Sequence, residues 1–271
     1  MYPFFEIFSW VFIYAFWLSL SICFFVFLFL LQRNAKRFWY DFSFFTHNIV
    51  WFFLSIFFFS RLFYVIANWY DQRFIWENPI QFFIMSDFNF SLFGAIFWFI
   101  IIYYVLTRIE KRDFERYIDW IVIAFFATLV IWFIWSFFGW QVYGRETHFW
   151  IEILYNRHNF SPVPFQVPIF PLPLVYALLS FFIWIWLYIL TLFINIKAFV
   201  WYVGLILFSA LILVFENFSG KSDILNWFAF INFPQLCAII LVIWSSYKLF
   251  YITKNSSWGR DIRKNIIYNN E

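Results

Sequence analysis

Along the 271-residue chain, apolar residues gather in seven long runs parted by short polar clusters: about 8–31, 44–67, 88–107, 118–139, 172–194, 198–215 and 227–248. Each run approaches the twenty or so residues that an α-helix needs to cross about 30 Å of hydrocarbon. The alternating short segments of a transmembrane barrel are not part of this pattern. It predicts an all-α membrane protein, a bundle of seven transmembrane helices forming a single domain over residues 1–271. The first run is too long for a signal-peptide core, and no small-residue cleavage site follows it. It is therefore expected to remain as a helix.

Composition sharpens this picture. Hydrophobic residues make up 65% of the chain, aromatics 30% and charged residues only 12%, far from the usage of soluble domains. The net charge of +3 is divided among loops, whereas nucleic-acid binding needs a gathered basic face, so no nucleic-acid partner is expected. The basic residues set an orientation. Thirteen of the eighteen, including Arg33, Lys36 and Arg37, then Arg108, Lys111 and Arg112, then Lys248 and Lys254, fall in alternate loops on one side. The positive-inside rule makes that side cytoplasmic, with the amino terminus outside and the carboxyl terminus inside. Cys23 and Cys237 lie within apolar runs and are expected to be structural thiols, with no metal site and no cofactor implied.

Polar residues inside or beside the spans then acquire a depth. An ionisable side chain within a span costs about 2.5–3.5 kcal/mol on insertion scales and calls for a reason. Arg61, Glu216, Asp87, Asn89 and Tyr14 are all placed toward the outer level, as is the stretch "FFGWQVYGRETHFW" at 137–150, where an aromatic helix turns polar. After it comes a loop holding Pro162, Pro164, Pro168, Pro171 and Pro173. Together they predict a polar pocket open to the outer leaflet, with Arg61 and Glu216 in its lining.

These segments resemble the prolipoprotein diacylglyceryl transferases, seven-helix enzymes of the bacterial inner membrane. "SRLFYVIANW" is similar to the family's Gly-Ala-Arg-Leu-x-Tyr-Val segment, with Arg61 as the matching arginine. "WFIWSFFGWQVYG" aligns with the signature Gly-Arg-x-Gly-Asn-Phe-x-Asn-x-Glu-x-x-Gly, and Tyr143, Gly144, Arg145 and Thr147 match the Tyr-Gly-Arg-x-Thr that often follows. "VPIFPLPLVYALLSF" resembles Pro-x-His-Pro-x-Gln-Leu-Tyr-Glu-Ala-Leu-Leu, and "LILVFENFSG" the Arg-Phe-x-x-Glu segment, with Glu216 as the matching acid.

The resemblance implies transfer of a diacylglyceryl group from phosphatidylglycerol to the cysteine thiol of a lipoprotein signal peptide, in the bacterial inner membrane. The expected partners are a membrane phospholipid, phosphatidylglycerol first, and a prolipoprotein signal peptide. Arg61 and Arg145 are the candidate phosphate ligands; Tyr14, Tyr143, Gly144, Thr147 and Glu216 are the candidate pocket lining. Several motif positions hold other chemistry. The motif histidine aligns with Phe93, the signature arginine with Phe133, its asparagines with Ser136 and Gly139, its glutamate with Gln141, and the later arginine with Ile212. No catalytic residue is identified, and a noncatalytic family member that binds lipid or signal-peptide helices is the alternative. Either His148 or His158 could supply a base, although loop histidines are more often simply solvated.

Overall fold

The computed structural model describes residues 4–8, 11–38, 42–67, 82, 90–112, 114–139, 142–148, 151–154, 167–194, 196–220 and 231–255. Eight α-helices are described: α1 (Ala15–Phe38), α2 (Ser43–His47), α3 (Ile49–Ala67), α4 (Leu92–Ile109), α5 (Glu115–Gly139), α6 (Leu172–Phe193), α7 (Phe199–Phe215) and α8 (Phe233–Asn255). All but the short α2 are long and apolar enough to cross a membrane, giving seven spans. The protein is a seven-helix membrane protein, as the hydropathy pattern predicts.

The first span departs from its expected position. Phe4–Phe8 (β1) and Val11–Tyr14 (β2) pair as an antiparallel hairpin, with Phe4 opposite Tyr14 and Glu6 opposite Phe12. The helix begins only at Ala15 and continues to Phe38. Aromatic and β-branched residues in "FFEIF" and "VFIY" suit a pleated backbone. At the other end Gln32, Arg33, Ala35 and Lys36 are good helix formers, so the helix outlasts the apolar run. Tyr14 accordingly ends a strand rather than lying in the first helix.

The second span begins later than expected because Asn48 ends α2 and separates it from α3. Its side-chain amide donates to the Phe44 carbonyl at 3.0 Å and to the Glu110 carboxylate at 2.5 Å. The run that began at residue 227 yields a helix starting at Phe233; residues 227–230 lie outside the described set.

The described residues fall into two compact units. One lies within Met1–Leu30, Glu115–Lys221 and Ala238–Glu271, the other within Leu31–Phe114 and Ser222–Cys237. In the second, α3 packs along α4 through aromatic rings, and Gly94 makes the close approach possible. A Cβ there would lie 2.6 Å from Phe63 Cβ and 2.9 Å from the Phe59 carbonyl oxygen. Between apolar helices in lipid, such tight packing supplies the attraction that burial supplies in water. Ser91 starts α4: its Oγ accepts from Gly94 N at 3.2 Å, while its own N–H donates to Ser60 O at 3.0 Å.

In the first unit α5 packs on α6 and α7, which also pack on each other. Gly204 in α7 faces Val122, whose Cγ2 would stand 2.6 Å from an added Cβ. At one end of this trio Asp119 of α5 accepts from the Ala198 and Trp201 N–H groups at the start of α7. At the other end the C-termini of α5 and α7 meet the N-terminus of α6.

Cys23 and Cys237 are both buried, and the Cys23 thiol donates to Thr128 O at 3.9 Å.

Candidate functional site

Beyond α5, which stops at Gly139, residues 142–148 are polar and held by backbone pairing. Gly144 bridges Ser219, Glu146 bridges Ile169, and Ile169 bridges Ile153. Arg145 N donates to Phe218 O at 2.8 Å, Gly220 N to Tyr143 O at 2.9 Å, and Phe170 N to Arg145 O at 3.0 Å. Thr147 N donates to Pro168 O at 3.0 Å, and Ile153 and Ile169 exchange bonds at 3.0 and 3.1 Å. Four non-helical segments thus form a rim across the ends of three helices. Backbone groups near hydrocarbon must find partners, and here they find one another.

Two glycines permit this pairing. A Cβ on Gly144 would run into the Phe170 backbone, and one on Gly220 into the Tyr143 ring. Ile169, only 1% exposed, anchors the rim from beneath, packed against Phe137, Tyr143, Ile153 and Val167. Pro171 precedes α6 and Pro173 lies in its first turn, where a missing N–H costs nothing.

On this base sit the charged groups. Arg145 is exposed, yet its Nε donates to the Ser219 carbonyl at 2.9 Å, so the guanidinium is held at the rim instead of moving freely. Glu216, half-buried, opens the 3-10 turn Glu216–Phe218 after α7. Its carboxylate accepts from the Tyr176 hydroxyl of α6 at 3.3 Å. Tyr176, 2% exposed, packs against Phe133 of α5 with ring centroids 5.0 Å apart. His148 is exposed and lies 3.9 Å from Glu146.

Of the residues singled out in the sequence, Tyr143, Gly144, Arg145, Thr147 and Glu216 are brought together at this rim. Arg61 is buried at 3% exposure in α3 and belongs to the other unit. Among the aligned motif positions, Phe93, Phe133 and Ile212 are buried at 4%, 3% and 5% exposure. Ser136 is fully buried and donates to Trp132 O at 2.7 Å, and Gly139 is the last residue of α5. Gln141, Asp87, Asn89 and His158 lie outside the described residues. Among those described, no three His, Cys, Asp or Glu side chains gather in a way that could hold a metal ion.

Tyr176 escaped the sequence reading. Its signal was its place on the buried stripe of α6 with Leu172, Ala177 and Ser180, which points it toward its helical neighbours. Asp119 escaped as well, although an acid inside an apolar span is itself a signal.

A multi-pass helical membrane protein with a backbone-paired polar rim, carrying a held arginine and a tyrosine-bound acid, is the class that these features define. The chain belongs to the prolipoprotein diacylglyceryl transferase family, whose sequence pattern matches it over residues 4–251. No curated protein matches it.

Proposed function

We propose that the chain binds the phosphate of phosphatidylglycerol at Arg145 and transfers the diacylglyceryl group to the cysteine thiol of a lipoprotein signal peptide. The observation that carries this reading is the tethered guanidinium. With Nε occupied by Ser219, the terminal amino groups of an exposed arginine are presented in a fixed direction, as bidentate phosphate binding requires. On the strength of the family match, Tyr14, Tyr143, Gly144, Thr147 and Glu216 line the pocket in this reading, while Arg61 keeps its match to the family segment within the other unit. The basic loops support placing the rim at the outer face of the bacterial inner membrane, with the amino terminus outside.

Developing negative charge on the glycerol phosphate leaving group is what a guanidinium in a low-dielectric site would stabilise. The test is expression in a bacterium depleted of its own transferase, with prolipoprotein mass as the readout. The expected result is a thioether-linked diacylglyceryl group, with Arg145→Ala reducing its formation about tenfold or more. Unmodified prolipoprotein at full expression would rule the transfer out.

Binding without transfer is the second reading, favoured by one observation. Phe93, Phe133 and Ile212 occupy the aligned histidine and arginine positions as buried apolar side chains, which neither accept a proton nor hold phosphate. Phosphatidylglycerol vesicles that bind the protein in an Arg145-dependent manner, with no prolipoprotein modified, would establish this reading instead.

A further inference from the structure

With Phe93 at the aligned histidine position unable to take a proton, the transfer proposed above needs another base. We infer that Glu216 is the proton acceptor for the attacking thiol, with Tyr176 as the residue that positions it. The inference rests on the transferase reading and names a group that reading leaves open.

Three observations converge. Glu216 is half-buried, so its carboxylate is both partly withdrawn from water and reachable. The Tyr176 hydroxyl, on a ring fixed against Phe133, donates to one carboxylate oxygen and sets the direction of the group. Arg145, tied to Ser219 three residues further along the same turn, is more exposed than Glu216. A phospholipid entering from the membrane presents its phosphate at the surface and its glyceryl carbon below. The guanidinium is the more exposed of the two groups and the carboxylate the more withdrawn, the order in which a phosphate and its glyceryl carbon would be met.

The step balances without a further reactant. The cysteine S–H proton passes to the Glu216 carboxylate, and the sulfur lone pair forms the C–S bond to the glyceryl carbon. The C–O bond to phosphate breaks, its electron pair leaving with glycerol phosphate, whose negative charge rests on Arg145. Glu216 then returns its proton to water. The charged and titratable groups on the surrounding elements are Tyr176 and Tyr188 on α6, Tyr202 on α7, and Tyr143, Arg145, Glu146, His148 and Glu152 on the rim; those of α5 lie at its opposite end, between Glu115 and Asp119.

The test uses the full chain in vesicles of phosphatidylglycerol, with a synthetic signal peptide bearing one cysteine. At neutral pH, Glu216→Gln is expected to lower kcat about a hundredfold or more, with KM for the lipid nearly unchanged. A free thiol ionises near pH 8.5, so the defect should shrink to within about fivefold by pH 10. That rescue separates a missing base from a damaged fold. Tyr176→Phe, which keeps the ring on Phe133, is expected to lower kcat by about tenfold, again without moving KM. A Glu216→Gln loss that stays constant across the pH range, or wild-type rates in that variant, overturns the assignment while leaving the transferase intact. A wild-type protein inactive at every pH removes both.

Discussion

The Asp119 carboxylate of α5 receives the Ala198 N–H at 2.8 Å and the Trp201 N–H at 2.7 Å, so a side chain from one helix caps the N-terminus of another. Ala198 reaches this position in a left-handed conformation, with φ of 60°. The first N–H groups of α7 would otherwise lack helical partners, and the two carboxyl oxygens of Asp119 supply them. Asp119→Ala is expected to destabilise the protein by about 1–3 kcal/mol, read as a lowered melting temperature in detergent. Asp119→Asn keeps an acceptor oxygen and should lose less. Equal melting of all three proteins would remove the cap from the account of stability.

Gly144 is required by the approach of the Phe170 backbone. Gly144→Val is therefore expected to spread the pairing with Ser219 and displace Arg145. Binding to phosphatidylglycerol vesicles should fall about tenfold, equivalent to about 1.4 kcal/mol, together with thermal stability. Unchanged binding in this variant would mean that the rim does not position the arginine.

Arg145→Lys distinguishes a held fork from a mere positive charge. Lysine keeps the charge but has no Nε–H to give Ser219 and no planar pair of donors. In vesicle binding it is expected to lose nearly as much affinity as Arg145→Ala. Retention of wild-type affinity would reduce the site to simple electrostatic attraction.

Restoring the aligned arginine alone should not restore the family's chemistry. Phe133 is buried against the Tyr176 ring 5.0 Å away, and an ionised residue inside a span costs about 2.5–3.5 kcal/mol without a partner. Phe133→Arg is expected to reduce the fraction recovered as monodisperse protein in gel filtration. Recovery equal to wild type would reveal a partner already waiting for the charge.

Much of the fold is written in hydropathy, because in lipid a helix must satisfy its own backbone and be long enough to cross. Five of the seven spans can be read within a few residues of their helices; the last, expected at 227–248, runs Phe233–Asn255. The first cannot, since the run from Phe8 is equally apolar as strand or helix and only pairing with Phe4–Phe8 decides between them. The site is legible in part. Arg145 and Glu216 are visible as polar residues at one level, while the Tyr176 hydroxyl bond and the Asp119 cap depend on which helix faces pack together. Arg61 shows the converse: its motif is plain in the sequence, but its 3% exposure follows from the packing of α3.

The rim that joins Ser219, Gly144, Ile169 and Ile153 is held by peptide groups, which every residue except proline supplies alike. Exposed side chains along it can therefore be exchanged with little effect on register, unlike the two glycines and the buried Ile169. A surface built in this way separates inheritance of shape from inheritance of chemistry: its recognition can be rewritten residue by residue while the chain keeps tracing the same path.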